Sequence, residues 1–230
     1  MSVASNLAEV RARIARAAAA AGRDPSSVKL VCVSKTQSAA LVREAYAAGQ
    51  RAFGENYAQE LAGKAEALAD LADVEWHFIG HLQTNKARLV AAHAHAVHTV
   101  DSAALARELG RRVARTPRAS VPVLPVLIEV SLGGEAQKAG ATGSEIGEVM
   151  DAIAEQPSLA LRGLMTVPPA HDRDAARRAF ETLVSRRNLH GAAALPELSM
   201  GMSDDLEVAV ACGATLVRVG TAIFGARARG

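Results

Sequence analysis

The 230-residue sequence predicts an α/β protein folded as a single (β/α)8 TIM barrel, with an extra helix at its N-terminus. Short runs of β-branched residues alternate with Ala- and Leu-rich amphipathic stretches, a pattern typical of parallel strands joined by helices. Eight such runs can be counted, which is the strand number of this barrel. A doubly wound open sheet is the competing architecture. It would normally place a GxGxxG loop after its first strand, and the sequence there reads SKTQSAA.

The first element is an amphipathic helix, because Leu7, Val10, Ile14 and Ala18 recur at helical spacing and Gly22 is a suitable stop. Neither a long apolar region nor a cleavage site marks this segment as a targeting peptide. No stretch of the chain approaches the roughly 18 uninterrupted apolar residues that cross a bilayer. We therefore expect a soluble protein without a membrane partner.

The remaining elements follow in alternation. The predicted strands are 28–35, 51–56, 75–80, 96–102, 121–130, 159–166, 196–201 and 214–225. The predicted helices between them are 38–49, 58–71, 84–94, 103–115, 144–155, 172–189 and 203–212. The longest irregular segment is 131–143, after the fifth strand, and a loop of this length on a compact barrel is often functional. No linker divides the chain, so we expect residues 1–230 to form one domain.

Composition argues against several classes of partner. The net charge is only +2 and aromatic residues make up 3% of the chain, so a nucleic-acid surface is not expected. The two cysteines match no zinc spacing, and unpaired thiols favour the cytoplasm. His93, His95 and His98 lack the carboxylate or cysteine neighbours of a metal site, so we predict no metal. Lys138 lacks the spacing of a phosphate-binding P-loop and is interpreted as a solvated loop lysine.

Polar residues follow the predicted strands, and in a barrel these strand ends form the active site. Taken alone, each one only marks where a strand stops, but their convergence indicates a site. They are Ser34 and Lys35, Glu55 and Asn56, Gly80 and His81, Asp101 and Ser102, Glu129 and Ser131, Met165 and Thr166, Ser199 and Ser203, and Arg218, Gly220 and Thr221.

Lys35 and Arg218 are the most informative of these residues. Lys35 shares a strand face with Val33, and Arg218 lies in the last strand, which neighbours the first in a closed barrel. The plain interpretation is a surface lysine and a buried ion pair of Arg218 with Glu129 or Asp101. The functional interpretation is a lysine whose pKa is lowered by burial and a nearby cation, which makes it a nucleophile for Schiff-base chemistry. Aldolase-like and pyridoxal-phosphate chemistry both remain open at this point.

The loops after strands 7 and 8 favour a phosphate ligand. They read SMGMSDDLEVAV and RVGTAIFG, with glycine and hydroxyl residues where barrels commonly bind phosphate. Ser203 is also a good N-cap for the helix that follows, which is its structural interpretation. Asp204 and Asp205 would repel a dianion unless they point outward.

Five segments of the sequence are distinctive when taken together: VCVSKTQ, FGENYAQE, WHFIGHLQTNKAR, LRGLMTVPP and LSMGMSDDLEVAVACGATLVRVGTAIFG. They resemble the pyridoxal phosphate homeostasis protein family, the single-domain relatives of the alanine racemase N-terminal barrel. The resemblance extends from the N-terminal helix to Gly225, and the last segment is highly specific. The chain departs slightly from the family at TQSAA, where a proline often follows.

This resemblance implies that pyridoxal 5'-phosphate is the cofactor and that Lys35 holds it as an internal aldimine. It further implies that Ser203 and the backbone of Gly220 and Thr221 hold the phosphate. Ser199 would lie close by, Asn56 would line the pocket, and Arg218 would face the pyridine nitrogen. An arginine donates to that nitrogen and leaves it unprotonated, which weakens the ring as an electron sink.

The resemblance also implies a carrier without a catalytic residue or reaction of its own. Alanine racemases need a C-terminal domain that supplies an opposing tyrosine, whereas this chain ends at Gly230 and neither Tyr46 nor Tyr57 matches that role. We expect a monomer that buffers, protects and delivers the cofactor, with apo-enzymes as partners. The alternative is a pyridoxal-phosphate-dependent amino-acid racemase or decarboxylase that needs a partner chain.

Overall fold

A closed barrel of eight parallel strands in chain order forms the centre of the protein in a computed structural model, which describes residues 2–117, 122–132, 140–169 and 171–225. The last strand pairs with the first, where Val31 lies opposite Arg218. This pairing closes the sheet. The predicted TIM barrel is therefore confirmed, and the open-sheet alternative is wrong.

Strands and helices alternate through the described chain. The strands are β1 (Lys29–Val33), β2 (Ala52–Glu55), β3 (Glu75–Phe78), β4 (Ala96–Val100), β5 (Leu124–Glu129), β6 (Leu159–Met165), β7 (Glu197–Ser199) and β8 (Leu216–Val219). The helices are α1 (Val3–Ala20), α2 (Ala39–Ala47), α3 (Ala58–Ala67), α4 (Ala87–His93), α5 (Ala103–Ala114), α6 (Ile146–Ala154), α7 (Arg173–His190), α8 (Leu206–Ala211) and α9 (Thr221–Phe224). Short 3-10 turns span Pro25–Ser27 and Thr84–Lys86.

The extra N-terminal helix α1 packs along one side of the barrel, against α8 and α9. Its predicted apolar stripe is buried, and the Ser2 hydroxyl accepts a hydrogen bond from the Ser5 N–H at its start. Gly22 adopts a left-handed φ of 67° just beyond the end of the helix, so the predicted stop is confirmed.

Apolar residues fill two separate layers. The large layer lies between the sheet and the helices and includes Cys32, whereas a five-residue cluster containing Val31 fills the inside of the barrel. This difference confirms that Val31 and Cys32 point to opposite faces of β1. Because the inner apolar cluster is small, much of the barrel interior consists of buried polar side chains.

The chain after β8 departs from the predicted strand 214–225. The strand is short and ends at Val219, and residues Thr221–Phe224 form the helical turn α9. Thr221 and Ile223 favour a strand by local propensity, but tertiary contacts prevail. The Asn6 side chain of α1 donates a 2.9 Å hydrogen bond to the Ile223 carbonyl, and Ile223 is fully buried.

The predicted functional loop 131–143 is only partly described. Val130 and Ala141 form an isolated parallel bridge at its two ends, while residues 133–139, including Lys138, lie outside the described residues. Within the part of the chain that the structure describes, no helix is long and apolar enough to cross a membrane.

Candidate functional site

A cavity of about 330 Å³ opens at the carboxyl ends of the strands. Six of the seven predicted site residues line this mouth cavity: Lys35, Asn56, Ser203, Arg218, Gly220 and Thr221. Val33, Ile79, Val167, His171, Met202, Asp204 and Asp205 complete its wall. The prediction that Lys35 and Arg218 share one mouth of the barrel is therefore confirmed.

Lys35 lies in a tight turn just beyond β1 and is half-buried. The next residue, Thr36, has a left-handed φ of 63°, which is uncommon for a residue other than glycine. Its backbone N–H donates a 2.8 Å hydrogen bond to the Glu60 carboxylate of α3. This contact holds the turn, and with it the Lys35 backbone, in an otherwise unfavourable conformation.

A buried network behind this turn is centred on Lys64 of α3. The Lys64 ammonium donates hydrogen bonds to the Ser34 carbonyl (2.6 Å), to Glu55 (2.7 Å) and to Glu60 (3.1 Å). Glu55 is fully buried and also accepts a 2.6 Å hydrogen bond from the Ser34 hydroxyl. Burial raises the pKa of Glu55, while Lys64 and Ser34 oppose that shift. The network joins the ends of β1 and β2 to α3.

Arg218 is buried at the base of the cavity. Its guanidinium donates one hydrogen bond to the Ser199 hydroxyl (2.7 Å) and one to the Thr166 carbonyl (3.0 Å). Burial lowers the Arg218 pKa to about 10, and the negative charges of Glu129 and Asp205 oppose the shift. No carboxylate oxygen of the described residues lies within 4.0 Å of it. The predicted ion pair with Glu129 or Asp101 is therefore wrong, because neutral acceptors occupy the guanidinium.

The loop between β7 and α8 places Ser203 and two aspartates on the cavity wall. The helix begins at Leu206 with Asp205 as its N-cap residue, so the interpretation of Ser203 as the N-cap is wrong. Asp205 instead folds back, and its carboxylate accepts a 2.5 Å hydrogen bond from the Met202 N–H. In the described chain no hydrogen bond involves the Ser203 hydroxyl, which leaves it available to a ligand.

The two aspartates of this loop differ in exposure. Asp204 is exposed to solvent, whereas Asp205 is buried, and burial raises its pKa. Both aspartates line the cavity, so the condition that they point away from a bound anion is not met, although solvent screens the exposed Asp204 better. Asp205 places a carboxyl group next to any anion in the cavity.

Gly220 and Thr221 form the start of α9 at the cavity edge. A Cβ atom at position 220 would lie 3.0 Å from the Val33 carbonyl oxygen, so a glycine allows β8 to approach β1 closely at this point. The first N–H groups of a helix have no partner within it, which leaves donors near the cavity.

Asn56 and Ser199 occupy contrasting positions. Asn56 is half-buried in the cavity wall, and its Oδ1 atom is buried without a hydrogen-bond partner. Ser199 is fully buried beneath Arg218 and set back from the wall, with its hydroxyl between Arg218 and His98. Ser199 thus supports Arg218, and its predicted proximity to a phosphate stays a prediction.

Glu129 provides a prediction about stability and pH. Burial and the nearby Asp101 raise its pKa to about 7, and its Oε2 atom has no hydrogen-bond partner. A folded-state pKa above the unfolded value means that stability is lost as pH rises from about 4.5 to 7. We expect Glu129→Gln to reduce the stability difference between pH 5 and pH 8 by roughly 2–3 kcal/mol.

Urea unfolding of both proteins at the two pH values measures this difference. Glu66→Gln, an exposed carboxylate on α3, serves as the control and should behave like the unmodified protein. Equal pH dependence in Glu129→Gln and the unmodified protein would contradict the raised pKa.

Comparison with known proteins identifies the family. The chain matches the family described as alanine racemase, N-terminal domain, over residues 5–228. A Pseudomonas aeruginosa protein named pyridoxal phosphate homeostasis protein is 49% identical over 229 residues, which cover 98% of this chain and 96% of the relative. This chain belongs to the pyridoxal phosphate homeostasis protein family. The predicted family resemblance is confirmed.

Two further proteins match over nearly their whole length. The Escherichia coli K12 protein of the same name is 44% identical over 234 residues, with coverage of 98% of this chain and 97% of the relative. PipY of Synechococcus elongatus, solved with PLP bound, is 37% identical and superposes with a TM-score of 0.82. The match covers 97% of this chain and all of PipY.

Sequence reasoning missed three residues that support the family site. Lys64 follows Leu61 by three residues and precedes Leu68 by four, so helical spacing placed it on the buried face of α3. His77 and His98 are buried inside the barrel, and neither of them was assigned to the site from the sequence. The alternation of His98 with Val97 on β4 is the signal that could have revealed it.

Proposed function

We propose that this protein binds pyridoxal 5'-phosphate in the mouth cavity, holds it as a Schiff base on Lys35, and serves homeostasis of the cofactor. In this role it buffers, protects and delivers pyridoxal phosphate and has no committed reaction of its own. The observation that supports the proposal is the convergence of the Lys35 amine and the buried Arg218 on one cavity. The names of the relatives and the PLP bound to PipY support the same cofactor.

The cavity fits this cofactor in size and chemistry. A volume of about 330 Å³ is within the range of small-molecule sites. The unpartnered Asn56 Oδ1 can accept a hydrogen bond from a ligand, which would remove the penalty for a buried unsatisfied acceptor. Hydroxyl groups of Ser203 and Thr221 line the same cavity.

Two parts of the cavity bind two parts of the cofactor in this proposal: Lys35 reacts with the aldehyde, and the loops after β7 and β8 bind the phosphate. Pyridoxal phosphate supplies an aldehyde, which is the electrophile that a lysine amine attacks. The Thr36 turn fixes the Lys35 backbone at the cavity edge. The Ser203 hydroxyl and the N–H groups of Gly220 and Thr221 are the donors we assign to the phosphate.

Arg218 supports the assignment of a carrier. The arginine guanidinium has hydrogen-bond donors and no acceptor. It can therefore donate to an unprotonated ring nitrogen but cannot accept a hydrogen bond from a protonated one. A ring left unprotonated is a weaker electron sink for carbanion chemistry. Neither tyrosine lines the mouth cavity: the Tyr46 hydroxyl donates to the Asp73 carboxylate, and Tyr57 is 55% exposed. The described residues that line the cavity thus include no tyrosine to match the opposing acid of a racemase, which supports the proposal of a carrier.

We also propose that the chain acts as a single domain and a monomer in the cytoplasm, with apo-enzymes as recipients. Net charge and aromatic content support a protein without nucleic-acid partners.

A pair of assays on the full chain tests the proposed function. After loading with pyridoxal phosphate, transfer to an apo-enzyme is compared with release into buffer, and amino acids are tested for exchange of the α-proton in D2O. We expect uptake and transfer, with exchange far below about 1 s⁻¹, an ordinary enzyme rate. Exchange at that rate would support the alternative, a racemase or decarboxylase completed by a partner chain.

Asp205 yields a prediction about affinity. Its buried carboxylate faces the cavity and repels a phosphate dianion. Asp205→Asn keeps an oxygen for the Met202 N–H and removes the charge, so we expect the dissociation constant for pyridoxal phosphate to fall about fivefold, close to 1 kcal/mol. Absorbance titration measures it. Asp204→Asn, at an exposed and better screened position, should change it less. Weaker binding by Asp205→Asn would contradict the assignment of the phosphate to this loop.

A further inference from the structure

A continuous row of buried polar side chains runs through the barrel beneath Arg218. The guanidinium donates to Ser199 Oγ (2.7 Å), Ser199 Oγ contacts His98 Nδ1 (2.8 Å), and His98 Nε2 contacts His77 Nδ1 (2.9 Å). At the opposite end of the barrel, His77 Nε2 makes no hydrogen bond to a described residue. The Glu75 carboxylate lies 3.5 Å from it and forms an ion pair with Lys29. Ser199, His77 and His98 are each at most 4% exposed.

The charged groups at the two ends of this row favour one direction for its hydrogen bonds. Arginine can only donate, so Ser199 Oγ accepts from Arg218 and its own hydrogen is available for His98. At the other end Glu75 is a carboxylate, because His77 and Lys29 lower its pKa to about 2. A carboxylate only accepts, so its contact with His77 favours the proton of His77 on Nε2.

The histidine tautomers follow from these ends. With its proton on Nε2, His77 offers Nδ1 as an acceptor, so His98 must donate from Nε2. His98 Nδ1 is then an acceptor for the Ser199 hydroxyl. Burial lowers the pKa of both imidazoles, which is consistent with two neutral rings. Each group therefore donates to the next, from Arg218 through Ser199 and His98 to His77, whose Nε2–H is then the group nearest the Glu75 carboxylate.

We propose that Ser199, His98 and His77 form a one-way hydrogen-bond chain, oriented by the nearby Glu75 carboxylate, that positions Arg218 at the cofactor site. His98 and His77 are thus positioning residues for the arginine. The part of this inference that concerns the cofactor rests on the proposed function. The direction of the hydrogen bonds does not depend on the cofactor and can be tested on the protein alone.

His98 has the decisive place in the chain. By accepting the Ser199 hydrogen, it turns the lone pairs of the hydroxyl toward Arg218. Without that acceptor, the hydrogen of the fully buried Ser199 hydroxyl loses its partner, and the hydroxyl is no longer oriented toward Arg218. The Thr166 carbonyl is then the remaining fixed acceptor of the guanidinium. We expect a less well positioned Arg218 and weaker binding of the pyridine ring.

The first test reads the tautomers directly, without cofactor. The full-length chain is labelled with ¹⁵N, and long-range ¹H–¹⁵N correlations of the histidine rings are recorded at pH 7. The signals are assigned with His77→Asn and His98→Asn. We expect two neutral rings, each with its proton on Nε2. A proton on Nδ1 of either ring, or an imidazolium, would contradict the proposed direction of the hydrogen-bond chain.

The second test measures the effect on pyridoxal phosphate binding. His98→Leu removes the acceptor, and we expect its dissociation constant to rise about tenfold or more. His98→Asn places Oδ1 near the former Nδ1 position and should stay within about threefold of the unmodified protein. Val97 is a buried neighbour of His98 on β4 that takes no part in the hydrogen-bond chain. Val97→Ala therefore controls for loss of packing and should leave pyridoxal phosphate binding unchanged.

The two tests separate this inference from the proposed function. If the unmodified protein takes up no pyridoxal phosphate, the proposed function fails, and the tautomers alone decide the direction of the chain. If it binds the cofactor and His98→Leu binds equally well, the positioning role is overturned. Rescue by His98→Asn together with Nε2-protonated rings establishes it, because simple loss of packing would produce neither result.

Discussion

Replacing Lys35 with alanine is expected to abolish covalent attachment of pyridoxal phosphate while leaving the barrel folded. Lys35 lies in an exposed turn at the cavity edge and is only half-buried, so its removal should change stability little. The amine supplies the covalent bond, and we expect the dissociation constant to rise about a hundredfold or more, which is ~2.7 kcal/mol. Absorbance titration and retention after dialysis measure the loss.

Lys86→Ala is the matched control for this variant. Lys86 is another partly exposed lysine near the same end of the barrel, but it lies outside the mouth cavity. We expect it to retain the cofactor as the unmodified protein does. Covalent retention by Lys35→Ala at the same site would contradict the role given to Lys35.

The largest effect on stability is expected for Lys64→Met. This change removes three hydrogen bonds of a buried ammonium and leaves the fully buried Glu55 without its ion-pair partner. Removing one member of a buried pair typically destabilises a protein by about 3–5 kcal/mol. Because burial already raises the pKa of Glu55, the loss should be greater at pH 8 than at pH 5.

Urea unfolding at both pH values measures this effect. The double variant Lys64→Met with Glu55→Gln should recover much of the stability, since a neutral amide needs no counter-ion and can still accept from the Ser34 hydroxyl. Lys86→Met, which carries no buried pair, should change stability by less than about 0.5 kcal/mol. Equal stability of Lys64→Met and Lys86→Met would contradict the structural role of the network.

The Lys64 network also connects stability to the cofactor site. Its ammonium binds the carbonyl of Ser34, the residue that precedes Lys35, and Glu60 links it to the Thr36 turn. The position of the Lys35 amine therefore depends on α3, an element that contributes no side chain to the mouth cavity. Weaker cofactor binding should accompany the loss of stability in Lys64→Met.

The barrel was predictable because its evidence is local and repeated. Eight apolar runs at regular spacing define the strands, and strand alternation placed Lys35 and Arg218 at one end of the barrel. The segment after β8 was not predictable in the same way. Thr221 and Ile223 have strand propensity, and their helical turn depends on contacts with α1, more than 200 residues away in the chain.

The supporting residues of the site were harder to predict than the wall residues. Strand ends reveal which residues reach the cavity, but a hydrogen bond between distant elements leaves no spacing pattern in the sequence. The interpretation of Ser203 as a helix N-cap failed for a related reason. Local sequence favoured Ser203 as an N-cap, whereas Asp205 closes the turn on the Met202 N–H and delays the helix to Leu206.

Borohydride reduction followed by peptide mass spectrometry tests the central claim most directly. The chain has five lysines, Lys29, Lys35, Lys64, Lys86 and Lys138, so the modified residue can be assigned without ambiguity. After incubation with pyridoxal phosphate and reduction, we expect a single pyridoxyl-modified lysine, Lys35. Modification at another lysine in preference to Lys35, or no modification at all, would contradict the assignment of Lys35 as the cofactor-binding residue.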